Sequence, residues 1–175
     1  MRPRNLFLML AIWFVTYSTM AQGIVWTGPT VTFSNAPGSD WTQPGNADHL
    51  TDSVWLTRKS TQGLFNYFEG GYFHGSSPSG TEWALGTLNN YATLTYSDWE
   101  NCYGARGNLA ITIVRTNAVV HLIADDIYFS IKFTYWGGNG GGFTYERSSP
   151  AIVPEPSIAA LTAVGLLGWL IQGRR

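Results

Sequence analysis

Between residues 126 and 147 the chain alternates apolar and polar side chains with a period of two, and this run most restricts what it can fold into. Ile127, Phe129, Ile131, Phe133 and Tyr135 interleave with Tyr128, Ser130, Lys132, Thr134 and Trp136; only an extended strand puts two such sets on opposite faces. Residues 137–142 come next, all glycine but Asn139, and glycine takes positive φ at little cost. Residues 143–147 then resume the alternation, so the segment reads as a hairpin with a glycine loop. No helix succeeds these glycines to present its N-terminus to a phosphate, which argues against a nucleotide site.

The rest of the interior agrees with a β fold. Aromatic residues make up 15% of the chain and charged residues only 12%, a balance that favours strands over solvated helices. Further strands are predicted at residues 24–26, 30–33, 53–57, 63–68, 82–85, 92–96, 109–115 and 118–123, and no window shows the spacing of an amphipathic helix. Residues 35–40 and 75–80 carry Pro, Gly, Ser and Asp or Ser clusters and read as surface loops. The predicted fold is all-β, an antiparallel β-sandwich of jelly-roll-like type, in one domain over residues 22–149.

Both ends read as signals rather than fold. Arg2 and Arg4 precede the apolar stretch 6–15, and Thr19 and Ala21 supply the small residues a signal peptidase requires, so residues 1–21 are a predicted signal peptide and Gln22 the first mature residue. At the other end a linker, residues 150–156, contains Val153, Pro154, Glu155 and Pro156, with the prolines holding the backbone extended. Residues 157–175 include the apolar run 158–171 and end on Arg174 and Arg175. That run covers about 21 Å as a helix, short of a ~30 Å hydrocarbon core, but its flanks and the snorkelling arginines lengthen it. It is a predicted single membrane helix with the basic tail inside and the domain outside.

In this order, Pro154-Glu155-Pro156, an apolar span and a terminal basic pair, the C-terminus resembles the PEP-CTERM sorting signal of exopolysaccharide-producing bacteria. The resemblance implies recognition and cleavage by an exosortase-type membrane enzyme, followed by release or attachment outside the cell. A GPI signal is the nearest competitor, and the two terminal arginines argue against it. The domain itself is similar to domains of other secreted PEP-CTERM proteins, through Trp26-Thr27-Gly28-Pro29, the stretches 52–58 and 81–84, and above all 121–138 with 142–148. This second resemblance implies fold and location and brings no substrate, catalytic residue or cofactor.

Chemistry inside the domain must be weighed residue by residue. Residues 22–153 hold ten acidic and six basic side chains with no basic stripe, which disfavours nucleic acid as a partner. Asp125 and Asp126 precede the best strand and could offer oxygens to Ca²⁺ with Asp40, Asp48 or Asp52; no spaced acidic loop supports this, and turn aspartates ordinarily cap nearby N–H groups. No cofactor is expected, with Ca²⁺ the one candidate. His49, His74 and His121 lack metal-ligand spacing. The lone Cys102 reads first as a small buried hydrophobe, with an intermolecular disulfide or a reactive thiol as alternatives.

No catalytic motif emerges. A carbohydrate-active enzyme would need a pair drawn from carboxylates such as Glu69, Glu82, Glu100 and Glu146, about 5 to 10 Å apart. The six tryptophans of the domain allow another use: a small sandwich can bury most of them, and one or two left outside the core would offer sugars flat apolar faces. The expected function is an exported structural, adhesive or glycan-binding component of the cell envelope or extracellular polysaccharide matrix, with a secreted carbohydrate-active enzyme as the alternative. Close buried carboxylates in a cleft would favour the enzyme, and a shallow face of exposed rings would favour binding.

Overall fold

The structure, a computed structural model, describes residues 23–104 and 109–151. Ala21, Gln22, Val153, Pro154, Glu155, Pro156, Arg174 and Arg175 therefore lie outside the described residues. Among the described residues no helix is long and apolar enough to cross a membrane. In chain order these residues form β1 (Ile24–Val25), β2 (Thr30–Asn35), β3 (Asp48–His49), β4 (Trp55–Arg58), β5 (Leu64–Asn66), β6 (Thr81–Leu85), β7 (Asn117–Leu122), β8 (Ile127–Trp136) and β9 (Phe143–Ser148). Two single-turn helices, α1 (Trp99–Cys102) and α2 (Leu109–Thr112), complete them together with short 3-10 turns. The all-β class holds.

The larger sheet runs β2-β9-β8-β7-β6, each pair antiparallel, and the smaller runs β3-β4-β5. One pairing departs from the antiparallel rule: β1 lies parallel to the start of β8, with Ile24 opposite Ile127. One hydrophobic core joins the two sheets, with Ala118, Val120, Leu122, Phe129, Ile131, Phe133, Phe143 and Tyr145 from the larger and Leu56 and Leu64 from the smaller. The alternating residues of β7, β8 and β9 supply that core because period two sends every second side chain inward. A charged clasp adds to it. Arg147 donates from Nε and Nη2 to the two oxygens of Asp48 at 2.6 and 2.8 Å, and the Tyr145 hydroxyl donates to the same carboxylate at 2.7 Å, tying β9 to β3.

The alternation of β8 fails at its end. Phe133 faces Tyr145 while Tyr135 faces Thr144, so a bulge leaves Thr134 without an opposite residue, and a bulge turns the residues after it to the other face. Trp136, assigned by simple alternation to the polar side, packs against the core instead, and Tyr135 is 46% exposed.

Two predicted strands are corrected. Residues 92–96 belong to a 3-10 turn (Leu88–Thr93) and its exit, where Thr87 and Asn90 cap each other; only Ser97 pairs, as an isolated bridge to Trp83. Residues 109–115 open as α2, and only Val114 bridges to Phe133. A short apolar run does not choose between strand and helix by itself. The loop 75–80 is not wholly at the surface either, since Ser77 and Pro78 are buried and the Ser77 hydroxyl donates to Glu69 at 2.7 Å.

Candidate functional site

The outer face of the smaller sheet carries a strip of rings. Along β4 and its flanks Val54, Leu56 and Arg58 face inward by alternation, so Trp55 and Lys59 lie on the outer face with Phe65 of β5, which is itself buried beneath Trp41 and Lys59. Trp55 stacks on His49 at 3.7 Å and 11° and lies 5.0 Å from Phe68 and 5.4 Å from Tyr67. Trp41 continues the strip, 6.4 Å from Tyr67 and 5.5 Å from Phe65, with the Lys59 ammonium 4.1 Å over its ring. The polar ends are fixed: the Trp55 indole donates to Thr51 O at 2.9 Å and the Tyr67 hydroxyl to Thr42 O at 2.8 Å. Phe68 is 57% exposed, while Trp41, Trp55 and Tyr67 are half-buried. Rings tethered this way keep apolar surface toward solvent without losing their orientation.

A cleft of about 250 Å³ lies nearby, lined by Arg58, Gln62, Tyr72, His74, Trp99, Glu100 and Trp136 among others. The Arg58 guanidinium lies 3.7 Å over the Trp136 ring that the bulge turned inward. Its Nε donates to Gln62 O at 2.7 Å and its Nη1 to Gly137 O and Gly142 O at 2.7 and 3.0 Å. The glycine loop thus serves as a backbone cradle for this arginine, and Gly141, with φ of +74°, comes close enough to Lys59 that a Cβ there would meet its carbonyl oxygen at 2.6 Å. At the cleft mouth His74 Nδ1 is 2.9 Å from a Glu100 oxygen.

The acidic candidates are placed separately. Asp126 sits in the β7–β8 turn with φ of +48°, and its Oδ1 is 3.1 Å from His121 Nε2, while Glu82 approaches the opposite ring nitrogen at 3.5 Å. His121 stacks on Tyr128 at 4.3 Å. Carboxylates on opposite sides of one imidazole do not converge on a common point. Asp125 is exposed, and Asp40 is held below the usual carboxylate range by the Thr42 hydroxyl, then by the Thr42 and Gln43 N–H groups. Asp48 is committed to Arg147 and Tyr145. Among the described residues no group of three His, Cys, Asp or Glu side chains is arranged to hold a metal.

The four glutamates are also dispersed. Glu69 accepts from Asn66 N, Ser77 Oγ and Ser79 N, a local structural role. Among the described residues Glu100 is the one carboxylate lining the cleft. Glu146 is, among them, the one carboxylate lining a second hollow, of about 280 Å³, on the larger sheet. Cys102 ends α1 and packs against the core. Burial, then the nearby Asp98 charge, pushes its thiol up to about 12, so it stays protonated and unreactive at neutral pH.

The sequence pointed to exposed tryptophan or tyrosine rings, whereas Trp41, Trp55 and Tyr67 are half-buried and Phe68 is the exposed ring beside them; Arg58 was missed altogether. The chain matches no protein-family model, and no curated protein or solved structure is significantly similar to it.

Proposed function

We propose that this chain is an exported, glycan-binding component of the cell envelope or extracellular polysaccharide matrix, and that the strip from His49 through Trp55, Phe68 and Tyr67 to Trp41 is the surface on which sugar rings stack. That strip is the observation carrying the reading. The fold we propose is a β-sandwich of two unequal sheets around the shared core. Its winding from β6 to β9 is a plain meander, with β2 returning beside β9, rather than a jelly roll. The sorting reading rests on the sequence: a signal peptide ending at Ala21, an exosortase-type partner recognising Pro154-Glu155-Pro156, and transient anchoring through residues 157–175.

A glycan array run on the purified protein, with and without calcium, tests the binding reading. Trp55→Ala should lose most of the signal, since Trp55 joins His49, Tyr67 and Phe68 into one strip. A blank array from folded protein overturns it. Calcium-dependent binding that Asp126→Asn abolishes would add the ion through Asp125 and Asp126. For the sorting reading, Glu155→Ala should leave the protein uncleaved in the membrane fraction of a host that processes the parent, and normal processing contradicts it. The enzyme alternative needs an Asp/Glu pair, and among the described residues Glu100 is the one carboxylate lining the cleft; product release from any glycan the array retains tests it.

A further inference from the structure

An arginine side chain has five N–H donors. Arg58 uses three, on Gln62 O, Gly137 O and Gly142 O, and the two on Nη2 bond to nothing among the described residues. Nor does Arg58 form an ion pair there, although it is only 4% exposed. Nη2 is not among the sealed, partnerless atoms as Trp99 Nε1 is, and Arg58 is one of the residues that line the cleft. Buried charges are ordinarily paired. Burial lowers the Arg58 pKa to about 10, with Tyr135 acting in the opposite direction. A purely structural clamp explains the three carbonyl bonds, and the Trp136 face meets the charge in part; the two remaining donors are left unexplained.

The rest of the cleft narrows what would complete the site. Glu100 and His74 pair at the mouth, so the cleft already holds a carboxylate, and a singly charged anion is repelled by it less than a doubly charged phosphate. The walls are Tyr72, Trp99 and Trp136, with Gln62 and Thr61 as polar neighbours. A volume of about 250 Å³ lies below the roughly 300–1,000 Å³ of pockets for drug-sized ligands, which suits one small ring. We propose that this cleft is a second binding site, taking a uronic acid residue with its carboxylate on Arg58 Nη2 and its hydroxyls toward Glu100 and His74. The sugar rests on the glycan-binding reading above; the carboxylate rests on Arg58 alone.

Titration of the whole protein with glucuronate, glucose, acetate and inorganic phosphate, followed by tryptophan fluorescence and calorimetry, tests this. Glucuronate should bind about tenfold or more tightly than glucose, the size of a charge-assisted hydrogen bond, and more tightly than acetate or phosphate. Arg58→Gln should erase the preference over glucose. Because that variant also loosens the glycine loop, His74→Ala provides a second check: its side chain is 55% exposed, and the change should weaken glucuronate severalfold and leave acetate unaltered. Equal binding of glucose and glucuronate, or full binding by folded Arg58→Gln protein, overturns the proposal, as does acetate or phosphate matching glucuronate. Trp55→Ala separates the two readings, since it should spare glucuronate binding; a blank array with intact glucuronate binding would defeat the ring strip alone.

Discussion

Tyr103 places a hydroxyl where no described residue receives it. The residue is buried and its oxygen has no hydrogen-bond partner among the described residues, so the phenol contributes its ring to the core and carries an unmet polar group there. Tyr103→Phe should therefore be neutral or stabilise the protein by up to ~1 kcal/mol, read as a shift in urea midpoint; a loss of that size would show a bonded hydroxyl instead. Asp48 is the opposite case, because its carboxylate takes both Arg147 donors and the Tyr145 hydroxyl. Removing it strands a buried guanidinium. Asp48→Ala should cost about 3 to 5 kcal/mol by the same measurement.

The bulge at Thr134 and the glycine loop act together on one element, the β8–β9 hairpin: the first aims Trp136 at Arg58 and the second lets the backbone reach the guanidinium. Gly141→Ala meets both a positive φ and the Lys59 carbonyl, neither of which yields cheaply. It should lower the melting temperature and weaken glucuronate, whereas Gly138→Ala, with open space around it, should do neither; equal melting temperatures for the two variants would contradict the cradle. Alternation made β7, β8 and β9 legible in the sequence, because a strand writes its own facing into its residues. A bulge is a relation between two strands, and nothing within residues 126–136 records it. Arg58 was closer to legible. It shares the parity of Val54 and Leu56, which should have sent it inward, yet beside Lys59 it reads as half of a solvated basic pair. Which rings stay outside depends on the neighbours each meets in three dimensions, so the aromatic surplus was visible and the identity of the strip was not.

At the scale of the molecule the buried phenols and thiol set an alkaline limit. Burial and the Asp48 charge hold Tyr145 well above its ordinary 10.0, burial holds Tyr103 there too, and Tyr96 and Cys102 are both pushed to about 12, mainly by burial. Groups raised in the folded state stabilise it fully below their unfolded values, 9.0 for the thiol and 10.0 for the phenols, and lose that contribution as pH climbs toward 12. Arg58, lowered to about 10, works in the other direction but is one group against four. Stability should be level to about pH 9 and then fall, with the tyrosinate absorbance of these buried rings rising together with unfolding; their ionisation in a folded protein near pH 10 would contradict this. The pairing of Thr30 with Ser148 has a consequence of another kind. At roughly 5 to 20 residues per second of synthesis, β2 emerges about 6 to 24 s before the strand that will cover it, and β1 likewise waits for β8. The large sheet is a late closer by its topology, so whatever shields its first strands from other chains must act before its last strand exists.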